Sequence, residues 1–306
     1  MKNLLFTFTL FLIFNFSFAQ TKTDLTKTGL KGKVSFMSCS ERSLVEKQGL
    51  IKKVSFKYDE KGNMIESNDD ENLHYKTTYQ YNEKGNKIEE NGTFYKTTYK
   101  YNEKGNMIES KSPNFEGDFT YKYNAKGNKI EDNGYLSDGR LFSKTTYKYN
   151  AKGNMIEQIK WSNGSFSRKI TYKYDAKGNE IEYNHYDTKG SYKMTYKYNE
   201  KGNKIEWKSH NYDESLYRKY TFKYDEKGNI IEENAYTAHG TFSSKYTYKY
   251  DEKGNKIEEN DYNPDGSLEN KYTYKYEFDT MGNWIKITTI INGKPTELSE
   301  RVIEYY

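Results

Sequence analysis

The sequence predicts an all-β protein built as an antiparallel array of β-hairpins. A Gly-Asn pair recurs ten times between residues 62 and 283, at spacings of 20 to 28 residues. Each pair follows a segment in which Tyr alternates with Lys and Thr, and an Ile comes shortly after it. A drifting period of this size is typical of an array of supersecondary units. We therefore predict ten units of about 20–28 residues, whose sheet coils into an open, solenoid-like spiral.

The first strand of each unit is predicted from a strict alternation of residue types. The residues one and three places before the Asp or Asn of each unit are aromatic, and the residue two places before it is mostly Lys. Because successive side chains of a strand point to opposite faces, one face is aromatic and the other is polar. Tyr, Thr and Phe also suit a half-buried, pleated surface.

A turn follows each of these strands, with the sequence Asp-Glu-Lys-Gly or a close variant. Asp and Asn fold their side chains onto nearby backbone, and Gly accepts a left-handed conformation. The repeat residues that we predict to be structural are Tyr58, Gly62, Ile65, Tyr174, Gly178, Ile181, Tyr250, Gly254 and Ile257.

The length of the turn sets the register of the hairpin. A four-residue loop from Asp59 to Gly62 would oppose Phe56 to Ile65 and Lys57 to Met64. This register keeps apolar residues opposite apolar residues, so it is the predicted one, with Ile on the inner aromatic face. In a later unit the same register places Thr247 opposite Glu258.

The two ends of the chain differ from the repeats. Residues 1–19 have the pattern of a signal peptide: a Lys at position 2, an apolar run, and Ser17-Phe18-Ala19 before the cleavage point. Residues 20–48 are predicted as a lead-in with N-terminal capping strands, residues 49–283 as the hairpin repeats, and residues 284–306 as a C-terminal capping hairpin. We predict a secreted or cell-surface protein, or a periplasmic one, with no membrane span after signal removal.

Composition limits the classes of function. The 49 basic and 44 acidic residues are evenly interleaved, so no polyanion-binding patch and no nucleic-acid partner are expected. The single cysteine, Cys39, cannot form an intramolecular disulfide and is expected to be a half-exposed structural thiol. Hydrophobic residues make up only 34% of the chain, and 33 residues are Tyr, which predicts a thin core of phenol rings.

No catalytic site, metal site or cofactor is predicted. A glycosidase needs two carboxylates in distinct environments, whereas the repeated Glu residues, such as Glu66 and Glu258, occupy equivalent positions. The histidines show no metal-ligand spacing. They are His74, His185, His210 and His239.

The repeat resembles the signature of the Rhs/YD-repeat family. The matching residues are Tyr172-Lys173-Tyr174-Asp175-Ala176-Lys177-Gly178-Asn179 and the sibling segments over roughly residues 49 to 286. The resemblance implies a coiled β-sheet wall and an extracellular or surface setting. In large members of the family the wall encloses a C-terminal toxin that a self-cleaving core segment releases. This chain contains no Asp-Pro core segment, so the toxin-delivery role is not expected here.

The expected function is that of a non-enzymatic scaffold that mediates protein interaction at the cell envelope, because the variation between units is confined to the connectors. A glycan- or cell-wall-binding module that uses connector aromatics is the alternative, and an accessory of an Rhs-type toxin system is a third. The partner is accordingly an unknown protein or polysaccharide. The predicted binding residues are Trp161, Trp207, Tyr186, Tyr236 and Tyr262.

Overall fold

The structure is a computed structural model that describes residues 28–44, 50–69, 75–112, 117–211, 213 and 215–306. The predicted signal peptide lies outside these residues. The described part of the chain forms 22 β-strands and contains no helix. It accordingly contains no helix long and apolar enough to cross a membrane.

The strands are numbered in chain order. They are β1 (Val34–Ser43), β2 (Leu50–Tyr58), β3 (Met64–Asp69), β4 (Tyr75–Tyr81), β5 (Lys87–Gly92), β6 (Lys96–Tyr101), β7 (Met107–Ser112), β8 (Gly117–Tyr123), β9 (Lys129–Tyr135), β10 (Leu141–Tyr149), β11 (Met155–Ser162), β12 (Ser165–Tyr174), β13 (Glu180–Asp187), β14 (Gly190–Tyr198), β15 (Lys204–His210), β16 (Leu216–Tyr224), β17 (Ile230–Tyr236), β18 (Phe242–Tyr250), β19 (Lys256–Tyr262), β20 (Leu268–Phe278), β21 (Trp284–Ile291) and β22 (Lys294–Tyr305).

The sheet is closed. Each strand pairs antiparallel with the next one in sequence, and β1 also pairs with β22, from Val34 opposite Tyr305 to Ser43 opposite Glu297. The chain is therefore an all-β array of antiparallel hairpins that closes into a 22-stranded barrel, and the predicted open spiral is wrong. Closure is favourable because it leaves no strand edge unpaired. The division into ten units stays a prediction.

The register inside each repeat hairpin also differs from the predicted one. Tyr58 pairs with Met64 and Lys57 pairs with Glu66, so Ile65 is the extra residue of a β-bulge. The same irregularity follows the Tyr-x-Tyr segment in the later hairpins. It occurs at Gln80/Tyr81, Lys100/Tyr101, Lys122/Tyr123, Lys148/Tyr149, Lys173/Tyr174, Lys197/Tyr198, Lys223/Tyr224, Lys249/Tyr250 and Glu277/Phe278.

The turn itself explains part of this difference. The Gly62 N–H donates to the Asp59 carbonyl at 2.8 Å, and the Asp59 N–H donates to the Asn63 carbonyl at 2.9 Å. Gly62 has a φ of 82°, which places it in the left-handed region. This is a tight turn with a glycine bulge, and because Asp59 pairs with Asn63 its loop, Glu60 to Gly62, is one residue shorter than the predicted four-residue loop. Asp59 Oδ1 accepts hydrogen bonds from the Lys61 and Asn63 amides at 3.0 and 2.8 Å.

Two predicted contacts are wrong as a result. Lys249, not Thr247, lies directly opposite Glu258, and Thr247 lies opposite Asn260. The repeat Ile residues do not lie on a buried face, because several of them are more than one-third exposed. These are Ile65, Ile108, Ile130, Ile181, Ile205 and Ile231, at 36% to 38% exposure.

A series of tyrosine hydroxyls links each hairpin to its neighbour. Tyr174 donates to the carbonyl of Met155 at 2.7 Å, and Tyr149 donates to the carbonyl of Lys129 at 2.7 Å. In each case the acceptor is the residue that precedes the bulged Ile of the preceding hairpin. We call this series the tyrosine spine. Its donors are Tyr81, Tyr101, Tyr123, Tyr149, Tyr174, Tyr198, Tyr224, Tyr250 and Tyr276.

The best-buried apolar residues lie at the seam where β1 meets β22. Val34, Met37 and Tyr58 form a buried cluster, and Ile303 of β22 packs against it. The Tyr306 hydroxyl donates to the Tyr58 carbonyl across the same seam at 2.5 Å. Elsewhere in the described residues only Ile170 and Ala235 are buried hydrophobic residues. The interior is therefore thin, as the composition predicts, and the seam is its most densely packed part.

The two faces of the sheet differ sharply. The tyrosine face carries the aromatic residues one and three places before each turn, and these are half-buried, whereas the lysine face carries the Lys between them. On the lysine face Lys148 is 69% exposed, while Glu157 opposite it is only 15% exposed. The tyrosine face therefore carries the more covered residues at these positions.

The tyrosine spine can be tested within one strand. Replacing Tyr174 by Phe removes the hydrogen bond to the Met155 carbonyl and should lower the free energy of unfolding by about 1–2 kcal/mol. Tyr172 of the same strand is the matched control, because its ring contacts Tyr183 and its hydroxyl makes no hydrogen bond to the residues that the structure describes. We expect Tyr172→Phe to change stability by less than about 0.5 kcal/mol in urea unfolding. Equal losses in the two variants would contradict a structural role for the spine.

Candidate functional site

Four of the five predicted binding residues share one location on the lysine face. They do not lie in connectors, as predicted, but near the ends of strands, each directly opposite a lysine. The pairs are Trp161 with Lys144, Tyr186 with Lys169, Tyr236 with Lys219, and Tyr262 with Lys245. The hairpins therefore bring these four side chains to the same place on successive units.

The fifth predicted residue, Trp207, lies on the opposite face. It pairs with Tyr196 of the tyrosine face, and its ring packs against Tyr220 with the ring centres 4.8 Å apart. The residue at the corresponding place on the lysine face of this hairpin is His210, which pairs with Lys193. His210 was not predicted as a binding residue.

We call the resulting row the aromatic belt. Each member stands four residues after the repeat Glu of its hairpin, and this spacing in the sequence could have identified His210. The belt consists of Trp161, Tyr186, His210, Tyr236 and Tyr262, with the opposing lysines Lys144, Lys169, Lys193, Lys219 and Lys245.

The belt presents both ring surface and positive charge. Tyr186 is 44% exposed. The Lys219 ammonium lies 5.2 Å from the ring centre of Tyr236, and the Lys245 ammonium lies 5.6 Å from the ring centre of Tyr262. These are cation–π distances, so ring and ammonium form one composite surface in these hairpins.

Apolar side chains extend the belt on its other side. Trp161 lies opposite Phe166, which is 45% exposed, and Tyr262 lies opposite Leu268, which is 50% exposed. A cavity of about 390 Å³ opens beside Trp161, and Leu141 also lines it. Exposed apolar surface of this kind on a sheet marks an interaction site more often than chance, because such surface is costly to leave in water.

A ridge of ion pairs runs parallel to the belt. Glu157 lies 2.7 Å from the Lys148 ammonium and 2.8 Å from that of Lys169, so two lysines share one carboxylate. The same arrangement recurs at other repeat glutamates, and each such hairpin keeps one net positive charge on this face. The further examples are Glu66 with Lys57 and Lys76, Glu131 with Lys122 and Lys144, Glu182 with Lys173 and Lys193, Glu232 with Lys223 and Lys245, and Glu258 with Lys249 and Lys271.

The lysines keep these glutamates ionised. Hydrogen bonds from Lys249 and then Lys271 lower the pKa of Glu258 to about 2, and a hydrogen bond from Lys122 is the largest of those that lower the pKa of Glu131 to about 2. At neutral pH the carboxylates and the ammonium groups are thus all charged. None of these carboxylates has the raised pKa of a general acid.

Several polar groups of the tyrosine face pair with one another. The Lys129 ammonium lies 3.0 Å from Asp132 and 4.8 Å from the ring centre of Tyr147, whose hydroxyl donates to Asp132 at 2.5 Å. Lys87, Lys204 and Lys256 occupy the equivalent place in other hairpins and also lie over tyrosine rings. Each of these four lysines directly follows a Gly-Asn pair, so their shared place is a product of the repeat.

Two carboxyl groups with a raised pKa, Glu233 of β17 and Asp261 of β19, lie on the tyrosine face. Burial, and then the charges of Glu259 and Glu269, raise the pKa of Asp261 to about 6. Burial also raises the pKa of Glu233. Across the described ranges, no three His, Cys, Asp or Glu side chains are grouped so that they could hold a metal ion.

The single cysteine is partly buried in β1. Burial raises the pKa of the Cys39 thiol, and the Arg301 guanidinium opposes this effect. Arg301 itself lies 3.4 Å from the ring centre of Trp284. A reactive thiol has a lowered pKa, so this environment favours a structural role for Cys39.

Comparison with known proteins supports the repeat family. The profile of the Teneurin YD-shell family matches residues 35–231. No curated protein matches the chain. Among solved structures the chain is similar to a TcdB2-TccC3-TEV crystal structure, with 13% identity over 78% of this chain and 15% of that chain and a TM-score of 0.35. A structure of the Photorhabdus luminescens Tc holotoxin pore gives 13% identity, the same two coverages of 78% and 15%, and a TM-score of 0.35.

A porin-like protein from Bacteroides uniformis is similar over 90% of this chain and 99% of its own, with 12% identity and a TM-score of 0.36. In contrast, the chain spans only about 15% of the length of the two toxin chains named above.

Because the pKa of Asp261 is raised, removing its carboxylate should stabilise the folded protein by an amount that depends on pH. The charge of this carboxylate costs folding energy above its folded pKa of about 6, and the cost disappears below its ordinary pKa of 3.8. We expect Asp261→Asn to stabilise the protein by about 1 kcal/mol at pH 7.5, a figure discounted for partial solvent screening, and by nothing at pH 3.5. Thermal unfolding at the two pH values measures this difference.

The partly exposed Asp187 is the control, because it accepts hydrogen bonds from the Lys189 and Gly190 amides. These bonds lower its pKa, so Asp187→Asn should bring no gain at pH 7.5. A stabilisation by Asp261→Asn that is as large at pH 3.5 as at pH 7.5 would show that its charge is not the cause.

Proposed function

The chain belongs to the Teneurin YD-shell family, and from this premise we propose that it is a non-enzymatic binding scaffold whose aromatic belt contacts a macromolecule at the cell envelope. One observation carries the proposal. Five consecutive lysine-face positions hold an aromatic side chain opposite a lysine, although the strands and turns between them differ in length. The strand pairing produces this alignment, because connectors of different lengths would not place side chains in a row by themselves.

The carboxylates of the lysine face support a role without catalysis. Each repeat Glu of the ridge lies between two lysines, and several have their pKa lowered to about 2, so none is poised to donate or accept a proton near neutral pH. The residues that vary between hairpins are aromatic and apolar, and such side chains are typical of recognition.

Of the two partner classes expected from the sequence, the belt favours a polysaccharide. Its aromatic members recur with every second strand, which corresponds to a spacing of about 9.5 Å. A linear polymer presents the same contact at each repeat, whereas a globular protein surface does not. Sugar rings also offer apolar C–H faces to aromatic side chains.

A protein partner is the second candidate, and the rim of the sheet opposite the Gly-Asn turns favours it. Exposed apolar side chains on this rim include Phe94 at 64%, Tyr217 at 51% and Leu268 at 50%. An accessory role in a toxin system of the Rhs type stays a prediction that the neighbouring genes would test.

Secretion or surface location is part of the proposal. It is supported by the signal-like pattern of residues 1–19 and by the family of the repeat. A binding scaffold of the envelope has to leave the cytoplasm to meet its partner.

The proposal predicts that retention on insoluble envelope material depends on the belt. We expect saturable retention of the wild-type protein, and a loss of about tenfold or more in affinity for the triple variant Trp161→Ala, Tyr186→Ala and Tyr236→Ala. Trp207→Ala removes a tryptophan from the other face and should leave retention unchanged.

Circular dichroism and thermal unfolding identify any variant that has lost its fold. The proposal fails if the folded triple variant is retained as well as the wild type, or if Trp207→Ala causes the same loss.

A further inference from the structure

We propose that the aromatic belt binds an extended anionic polysaccharide that runs across the strands, with about one acidic group per hairpin. This inference rests on the proposed function, because it assigns a chemical class of ligand to the same surface. It follows from three properties of the belt: its spacing, its charge and the contact between ring and ammonium.

The spacing fits a chain of sugars. Neighbouring strands of a sheet lie about 4.8 Å apart, so equivalent side chains on successive hairpins lie about 9.5 Å apart. This distance is close to the length of a disaccharide in an extended chain. The belt from Trp161 to Tyr262 spans five hairpins, so one polymer could contact each of them in the same way.

The charge of the surface fits an acidic polymer, although the even interleaving of charges in the sequence predicts no polyanion-binding patch. Four ridge carboxylates are each shared by two lysines, one beside the turn and one in the belt, so one positive charge per hairpin is uncompensated there. These are Glu131, Glu157, Glu182 and Glu232, and a fifth, Glu206, lies near three lysines. The belt lysines are the less exposed of the two, at 38% for Lys169 and 35% for Lys245, compared with 69% for Lys148 and 67% for Lys223. An anion on the belt would therefore be drawn to an ammonium that is already held in place.

The density of this charge distinguishes the polymer from a nucleic acid. A DNA strand carries a phosphate about every 3.4 Å in the duplex, or roughly three per hairpin spacing. The lysine face offers one net positive charge over the same distance, and lysine is the cationic residue of every pair in the belt. A polymer with one carboxylate for each disaccharide matches this density.

The ring and the ammonium act on one sugar unit. Lys219 and Lys245 place their ammonium groups 5.2 and 5.6 Å from the ring centres of Tyr236 and Tyr262. A sugar that packs on the exposed part of such a ring brings a carboxylate substituent next to the ammonium. The Trp161 cavity of about 390 Å³, lined also by Lys144, offers the same combination of groups in a recess.

The inference is tested with hyaluronan, which carries one carboxylate for each disaccharide, and with its methyl ester, which has the same backbone without the charge. We expect the wild-type protein to bind hyaluronan at least about tenfold more tightly than the ester, and the difference to shrink as salt is added. An oligothymidylate of similar length serves as the nucleic-acid probe and should bind more weakly than hyaluronan.

Two sets of variants locate the site. The triple variant Trp161→Ala, Tyr186→Ala and Tyr236→Ala should lose about tenfold or more in affinity for hyaluronan, whereas Trp207→Ala should keep wild-type affinity. The charge variant Lys169→Gln, Lys193→Gln and Lys219→Gln should lose the preference for hyaluronan over the ester. Lys160→Gln is its control, because Lys160 pairs with Thr145 on the tyrosine face.

The outcomes separate this inference from the proposed function. Equal binding of hyaluronan and its ester would overturn the anionic ligand but leave a glycan-binding belt. Tighter binding of the oligothymidylate, or no binding of hyaluronan together with belt-dependent retention on envelope protein, would overturn the polysaccharide and leave the scaffold. Retention that no belt substitution alters would contradict the scaffold proposal as well.

Discussion

The structure depends on the hydrogen bond that each spine tyrosine donates to a backbone carbonyl of the neighbouring hairpin. The extra Ile of each bulge shifts the register by one residue on one strand, and the carbonyl before it accepts the hydroxyl of the next unit, as Met155 accepts from Tyr174. The same shift brings Lys148 directly opposite Glu157. One local irregularity thus sets the contact between hairpins, the ion pairs of the lysine face and the half-exposed position of the Ile.

A thin interior suffices because hydrogen bonds carry much of the cohesion. Few hydrophobic side chains in the described residues are buried, and the largest of these is Tyr58 at the seam. Every strand has two neighbours in the closed sheet, so backbone groups that would lie at an edge are paired. Each spine bond adds a net contribution on the order of 1 kcal/mol, which accumulates around the ring. The seam contains no repeat hairpin, and packing between Val34, Met37 and Ile303 stabilises it instead.

The strands and the two faces could be predicted from the sequence, but the register could not. The alternation of Tyr with Lys is a local signal, and it correctly identifies Tyr174 and Lys173 as residues of opposite faces. The bulge is not local in this sense, because the group that accepts the Tyr174 hydroxyl belongs to another hairpin. Apolar matching alone favours the simpler register, which places the Ile on a buried face, whereas Ile65 is the extra residue of the bulge and is 38% exposed. Closure was missed for a similar reason, since the partner of β1 lies at the far end of the chain.

The candidate site was predictable in part. Variation between units indicates Trp161 and Tyr186 as binding residues, and both lie in the belt. Trp207 was selected for the same reason, but it stands one residue after its repeat Glu, so the two-residue period of the strand turns it to the tyrosine face. The belt lysines were missed because they look like ordinary surface charge until the strand pairing sets each one opposite a ring.

Amide hydrogen exchange in β1 and β22 tests the closed sheet most directly, because closure distinguishes this architecture from an open spiral. If the two strands pair as described, the amides of Val34–Ser43 and Lys294–Tyr305 should be protected to a similar degree as those of interior strands such as β12 and β13. In an open sheet each of the two strands would have a free edge, and about every second amide would be unpaired there. Rapid exchange of alternate amides along both strands, with slow exchange in β12 and β13, would contradict the closed structure.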